Sequence, residues 1–330
     1  MRSNRIITEE QKWGDSESFG IPSRAIYDFM ARSGGGYTKI GFLRKDLKHY
    51  LFLSNKRAMG PGEATVLQSW FRKQVSRNGF YYYIQVDSDG AICSIFWPDS
   101  IMRADYALFG DFVSFDTTYQ TNKSYKPLGI FIGFNHHKIT CVFGGALLYD
   151  ESAATYKWLL KTFLKFMKWK KPVIFMTDQA PAIAVGVRQI FKGVFHALCS
   201  WHIKKNAIKK LGASTTSKFL DQFKHLVKHV DDEDQFEYTW SLIQEKFFAN
   251  RRRSDISWLT FIYNSRKQWS SAWVKDNFMA GKRTTQLSEQ FNAFARLYLK
   301  PEQSITQLLN RFQDLIDDLR HNELMFDFIM

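Results

Sequence analysis

Three stretches decide the fold: Phe112-Val-Ser-Phe-Asp-Thr-Thr118, Leu128-Gly-Ile-Phe-Ile-Gly-Phe134 and Thr140-Cys-Val-Phe-Gly-Gly-Ala-Leu-Leu148. All are rich in β-branched and aromatic residues, and turn-forming residues separate them, which predicts three consecutive antiparallel strands. A helical period follows at 153–168, with Tyr156, Leu159, Leu160, Phe163, Leu164 and Met167 on one face and lysines on the other. Val173 to Thr177 then reads as a strand, Ala180 to Phe191 as a helix, Val194 to Leu198 as a strand and Ser200 to Leu211 as a helix. The order βββαβαβα predicts an α/β fold of the α+β kind, in which helices cover both faces of a mixed sheet.

Upstream, residues 63–109 predict a helix from Glu63, with Val66, Leu67, Trp70, Phe71 and Val75 in phase. A hairpin follows, Phe80 to Val86 and Ala91 to Trp97 around Asp87-Ser-Asp-Gly90, and then a short helix from Ser100 to Leu108. Residues 1–62, broken by Gly34-Gly-Gly36, Gly41 and Gly60-Pro-Gly62, read as a tail or linker. Past the core of 110–212 the strand signals stop. Lys218 to Val230, Asp234 to Phe248 and Asp255 to Trp269 predict an all-helical insertion at 213–282. Helices at Thr285 to Leu299 and Ser304 to Arg320 place the completion of the core in 283–330.

With 45% hydrophobic and 16% aromatic residues the chain can bury a large core, which excludes a disordered class. Its apolar runs fall well short of the roughly 20 residues of a membrane-spanning helix, so no membrane partner is expected. Three scattered cysteines do not make a disulfide framework and point to a reducing compartment. The 46 Lys and Arg against 32 Asp and Glu leave a formal charge of +14, for which a polyanion is the natural partner. The excess clusters at Lys157, Lys161 and Lys165, at Lys204 and Lys205, and at Arg251, Arg252 and Arg253; these are the candidate DNA-binding residues, although each cluster alone also fits a solvated face.

Asp116 lies inside the first core strand and Asp178 directly follows a fully apolar one. A carboxylate in such a place needs hydrogen bonds, an opposite charge or a cation. Two converging carboxylates and a third would hold two Mg²⁺ ions about 4 Å apart for phosphoryl transfer. Asp178 reads equally well as an N-cap before Ala180. His196-x-x-Cys199-x-x-His202 offers three potential ligands where a structural zinc site wants four. His136-His137 sits in the turn between two strands and reads as structural.

The segments Gly110-Asp-Phe-Val-Ser-Phe-Asp-Thr-Thr-Tyr-Gln-Thr-Asn122, Gly133-Phe-Asn-His-His137, Met176-Thr-Asp-Gln-Ala180 and Leu198-Cys-Ser-Trp-His202 resemble the Mutator-like element (MULE) transposase domain. Thr284-Thr-Gln-Leu-Ser-Glu-Gln-Phe-Asn292 is similar to a later block of that domain. Gly35-Gly-Tyr-Thr-Lys-Ile-Gly-Phe-Leu-Arg-Lys-Asp46, Phe80-Tyr-Tyr-Tyr83 and Phe96-Trp-Pro-Asp99 narrow the likeness to plant far-red-impaired-response and far-red-elongated-hypocotyl proteins, domesticated transposases that regulate transcription.

The resemblance implies a ribonuclease-H-like core and a catalytic and metal-binding triad of Asp116, Asp178 and Glu289, served by Mg²⁺ or Mn²⁺. It gives Cys199 and His202 a structural or DNA-contacting role. Periodicity alone reads Glu289 as a solvated residue on the polar face of its helix, beside Asn292 and Arg296. Full-length members carry zinc fingers on both sides of the domain; this sequence holds no complete zinc site and reads as a short or truncated member. The implied function is that of a nuclear, DNA-associated transcription regulator that works without cleaving DNA, partnered by family members or transcription factors. The alternative is an active metal-dependent transposase.

Overall fold

A computed structural model describes residues 23–33, 35–36, 39–44, 47, 61–76, 79–118, 122, 126–211, 213–248, 253–274, 284–300 and 303–329. Helix α1 (Ser23–Ser33) and helix α2 (Pro61–Val75) precede a hairpin, β1 (Tyr83–Val86) and β2 (Ile92–Trp97). Helix α3 (Ser100–Phe109) leads to β3 (Phe112–Thr118), β4 (Leu128–Phe134) and β5 (Thr140–Leu147), which pair antiparallel. The alternation continues through α4 (Ala153–Phe166), β6 (Ile174–Thr177), α5 (Pro181–Ile190), β7 (Phe195–Leu198) and α6 (Ser200–Leu211). The insertion comprises α7 (Ala213–Lys228), α8 (Glu233–Phe248), α9 (Arg253–Asn264), a 3-10 turn (Arg266–Gln268) and α10 (Ser271–Val274); α11 (Thr284–Tyr298) and α12 (Ile305–Ile329) follow.

All seven strands join in one mixed sheet, β1-β2-β5-β4-β3-β6-β7, in which β6 runs parallel to both β3 and β7. The upstream hairpin therefore extends the core sheet, through β2 pairing with β5.

One face of the sheet packs on α3, α4 and α5. Phe96, Phe115, Phe131, Phe143 and Phe175 from the strands meet Tyr106, Tyr156, Leu159, Leu160 and Phe163 from the helices. The rings fit because glycines vacate positions beside them. A methyl group at Gly133 would lie 2.4 Å from the Phe143 ring, and one at Gly144 2.6 Å from Phe96. The other face is shared. α2, α11 and α12 cover β2, β4 and β5 through Leu67, Trp70, Phe71, Phe291, Leu308 and Phe312. On β3, β6 and β7 a smaller cluster of Phe112, Ile174, Met176, Ala197 and Cys199 lies beside α6, with Trp201 packed against it.

The insertion has its own aromatic core, with Phe219, Phe223, Phe236, Trp240 and Trp269 buried. It protects the outer edge of β7, where the Gln268 amide donates to the His196 carbonyl at 3.1 Å. The stretch expected as one helix from Asp255 to Trp269 breaks after Asn264. There the Ser265 hydroxyl donates to the Phe261 and Ile262 carbonyls and the Trp269 indole to the Ile262 carbonyl, so side chains end the backbone ladder. α12 runs nine residues beyond the expected end at Arg320, whose Nη2 donates to both Asp99 carboxylate oxygens, at 2.9 and 2.8 Å.

Within the stretch read as tail or linker, α1 is a helix and buries Ala31, and nearby Phe42 and Leu47 form a small cluster with Tyr27 and Met30. Glycine punctuation obscured the four-residue spacing of Ile26-Tyr27 and Met30-Ala31. Among the described residues no helix is long and apolar enough to cross a membrane.

Candidate functional site

β3 and β6 set the geometry. Phe112 pairs with Ile174, Val113 with Phe175 and Ser114 with Met176. Continued by two residues, this parallel register puts Asp116 abreast of Asp178, on strands whose spacing is about 4.8 Å. Side chains alternate along a strand, so Asp116 and Asp178 share the face of Phe112, Ile174 and Met176, opposite to the aromatic layer. Across the antiparallel pairing Asp116 faces Ile130, which is covered by the C-terminal helices. Asp116 thus lies at the seam between α6 and α11.

Both neighbouring helices hold it. His202 Nε2 is 3.5 Å from one carboxylate oxygen, and the Asn292 amide donates to the other at 3.3 Å. Burial pushes the Asp116 carboxyl above its ordinary range and the charge of Asp178 adds to this, while His202, the Asn292 bond and Lys205 act against it. The site still opens to solvent, since the side chains of His202 and Asp116 are 17% and 22% exposed. Asp178, beside Asp116, accepts from the Ala180 N–H at 3.0 Å; this closes a turn ahead of α5 and is not the N-cap expected of it, since the N-cap is Ala180, which has no side-chain cap bond. α6 is tied to the same loop, because the Asn206 amide donates to Gln179 at 2.8 Å.

Another carboxylate stands close by that the sequence reading did not single out. Glu151, between β5 and α4, accepts from the Thr117 hydroxyl at 2.6 Å and from Tyr156. Burial raises its carboxyl first, those two bonds lower it, and the charges of Asp178 and Asp116 raise it further. Glu151 directly precedes Ser152, the N-cap of α4.

Position 289 lies on α11, one turn before Asn292, so its backbone is carried to the same seam; the Glu289 side chain lies outside the described residues. Among the described residues no group of three His, Cys, Asp or Glu side chains is placed to hold a metal ion. His196, Cys199 and His202 do not converge. Cys199 is buried in the apolar cluster, whereas His196 Nε2 bonds the Thr177 hydroxyl at 2.8 Å beneath the other face and is pushed down to about 4 by burial.

The basic residues divide. Lys204 and Lys205 lie on α6; the charge of Lys205 acts on Asp116, and its Nζ is 4.8 Å from the Trp201 ring centre. Lys157, Lys161 and Lys165 belong to α4, across the sheet from Asp116. Arg253 is exposed at the start of α9, and Arg251 and Arg252 lie outside the described residues.

Residues 112–206, from the first residue of β3 to the middle of α6, match the MULE transposase domain. Asp116, Asp178, Cys199 and His202 all fall within that match. The chain also aligns along most of its length with plant proteins. The chain is similar to the far-red-impaired-response proteins. It is 28% identical to protein FAR1-RELATED SEQUENCE 5 of Arabidopsis thaliana over 99% of its own length and 42% of that relative. It is 29% identical to protein FAR-RED IMPAIRED RESPONSE 1 of the same plant, over 93% of the chain and 37% of the relative. With protein FAR1-RELATED SEQUENCE 7 the identity is 30%, over 89% and 38%. The chain therefore spans about two-fifths of the length of these far-red-impaired-response relatives.

Asn292 lies outside the matched MULE segment, yet it completes the surroundings of Asp116 from another helix. The signal that could have found it is its place on the polar side of α11. Asn292 is half-buried and borders the buried stripe of Phe291, Ala295 and Leu299, which turns it towards the seam.

Proposed function

We propose that the chain is a transposase-derived, DNA-associated regulator of transcription that works in the nucleus, with the carboxylate seam kept as a structural joint of a ribonuclease-H-like core. The observation that carries this reading is the double engagement of Asp116. Its two oxygens have protein partners from two different helices, His202 on α6 and Asn292 on α11, so the carboxylate ties both helices to β3. The strand order supports the ribonuclease-H-like assignment: β5-β4-β3-β6-β7 is three antiparallel strands continued by two parallel ones, with helices on both faces. The names of the relatives, which refer to a response to far-red light, support a regulatory role. Lys204 and Lys205 beside the seam supply phosphate contacts that carry no sequence information.

The register favours a second reading, an active metal-dependent transposase. Asp116 and Asp178 are abreast, both are hard oxygen donors, and α11 brings position 289 to them, a donor set suited to Mg²⁺ or Mn²⁺. Asp116 and Asp178 would hold the ions and Glu289 would complete the set; the ions would supply a nucleophilic oxygen and neutralise the leaving one.

A promoter-reporter assay in plant cells, paired with strand cleavage on a terminal-repeat duplex in Mg²⁺ or Mn²⁺, separates the two. The expected result is reporter activation by the wild-type chain, kept by Asp116→Asn, with no cleavage by either. Cleavage by the wild-type chain that disappears in Asp116→Asn would overturn the regulatory reading in favour of the transposase.

A further inference from the structure

The end of the sheet opposite the carboxylates is built for a different contact. α4 stops there in a cap of two backbone bonds: the Trp169 N–H donates to the Leu164 carbonyl at 2.7 Å and the Lys168 N–H to the Lys165 carbonyl at 3.3 Å. In this arrangement the residue after the helix takes a positive φ and is usually glycine. Here it is Lys168, with φ 51°, and Trp169 follows with φ 63°. Residues other than Gly, Asn and Asp seldom adopt that conformation, so two in succession are a strained way to end a helix.

The strained turn presents an indole. Trp169 is 59% exposed, although its backbone is fixed. Lys170 Nζ bonds the Ala107 carbonyl at 2.9 Å and the Asp111 carboxylate at 3.2 Å, and the Tyr106 hydroxyl donates to the Lys170 carbonyl at 3.0 Å. Lys165, Lys168 and Lys171 are exposed around it, with Lys171 Nζ on the Lys192 carbonyl at 2.9 Å. The carboxylate at this turn, Asp111, is engaged by Lys170, so the surface around the indole is basic.

We propose that Trp169 and its flanking lysines form a binding surface for single-stranded nucleic acid, separate from the carboxylate seam: an unpaired base stacks on the indole while phosphates lie against Lys165, Lys168 and Lys171. Stacking on an aromatic ring combined with cationic contacts to the backbone is the usual chemistry of single-strand binding. A duplex hides its base faces and would use the lysines alone. An acidic peptide would likewise use the lysines and leave the indole idle.

The test is fluorescence anisotropy of the full chain with a labelled single strand of ~15 nucleotides and with the matching duplex. Trp169→Ala is expected to weaken single-strand binding about tenfold and Trp169→Tyr less than about threefold, with duplex binding changed less than about twofold. The pair Lys168→Glu and Lys171→Glu should weaken both and flatten the dependence on salt. Lys168→Gly, which removes one cation but relieves the positive φ, should raise the melting temperature while lowering affinity. Lys204→Ala with Lys205→Ala, beside the seam, should leave the ratio of wild-type to Trp169→Ala affinity unchanged, which keeps this surface distinguishable from the DNA contact proposed above. Melting curves establish that each variant is folded. Equal losses on strand and duplex in Trp169→Ala, no loss at all, or a Tyr variant no better than Ala would overturn the proposal. So would a polyglutamate peptide that displaces the strand and shows the same dependence on Trp169.

Discussion

The two faces of β3 use the same backbone for opposite purposes. Val113 and Phe115 enter a dry aromatic layer, where Phe131 stacks on Phe163 with ring centres 4.2 Å apart and meets Phe115 at 4.6 Å. Ser114 and Asp116, the residues between and after them, enter a face that is polar at the strand's end and contacted by His202 and Asn292. The difference teaches why a desolvated carboxylate is tolerated in a central strand. Its position is fixed from behind by a close-packed layer of buried rings, and the helices that meet it in front provide complementary groups.

The sharpest way to break this comparison is to hollow out the dry side. Phe131→Ala removes a fully buried ring from the centre of the layer and is expected to cost about 3–5 kcal/mol, read as a fall in melting temperature on the order of 10 °C. A loss below about 1 kcal/mol would mean that the layer does not hold the sheet.

A polar group on the dry side gives the next effect. His196 is half-buried there with a bond to Thr177, and burial pushes its folded value down to about 4, below the ordinary histidine value near 6.5. A folded value below the unfolded one means that the unfolded chain takes up the proton first. The stability owed to a neutral His196 is therefore present above about pH 6.5 and is lost as pH falls towards 4, by roughly 2 kcal/mol. His196→Gln should remove that part of the acid sensitivity in chemical denaturation at pH 7 and pH 4.5. An unchanged difference between the two pH values would assign the sensitivity elsewhere.

Asp116 on the other face should behave in the opposite sense and by less. Its folded carboxyl is raised, chiefly by burial, so the favourable contribution is present at low pH and is lost as pH rises through the folded value. Asp116→Asn is isosteric and needs no charge desolvated; it is expected to leave stability at pH 7 unchanged or higher by about 1 kcal/mol. Thermal melting at pH 7 checks this. A strongly destabilised Asn variant would show that the contacts of the carboxylate with His202 and Asn292 outweigh the burial of the charge.

Much of the architecture was legible because each element repeats its own signal. The alternating faces of β3 to β5, the apolar stripe of α4 and the helical periods of the insertion are local patterns, and the strands and helices they predicted are present, except that the stretch from Asp255 to Trp269 breaks after Asn264. The joining of the β1–β2 hairpin to the core sheet was not legible, since its partner β5 lies beyond two intervening strands in the chain. Nor was α1, masked by the glycines that follow it.

The sequence by itself determined which residues are apolar at which period, that charge is in excess as cation, and that two aspartates stand where a strand must bury or satisfy them. Only the tertiary structure decided that those aspartates lie abreast on one face, that Glu151 stands near them, and that Asn292 reaches Asp116 from 176 residues away. Periodicity is a property of neighbours along the chain. The company of a polar side chain is set by which strands pair and which helices cover them, and no local spacing records that choice.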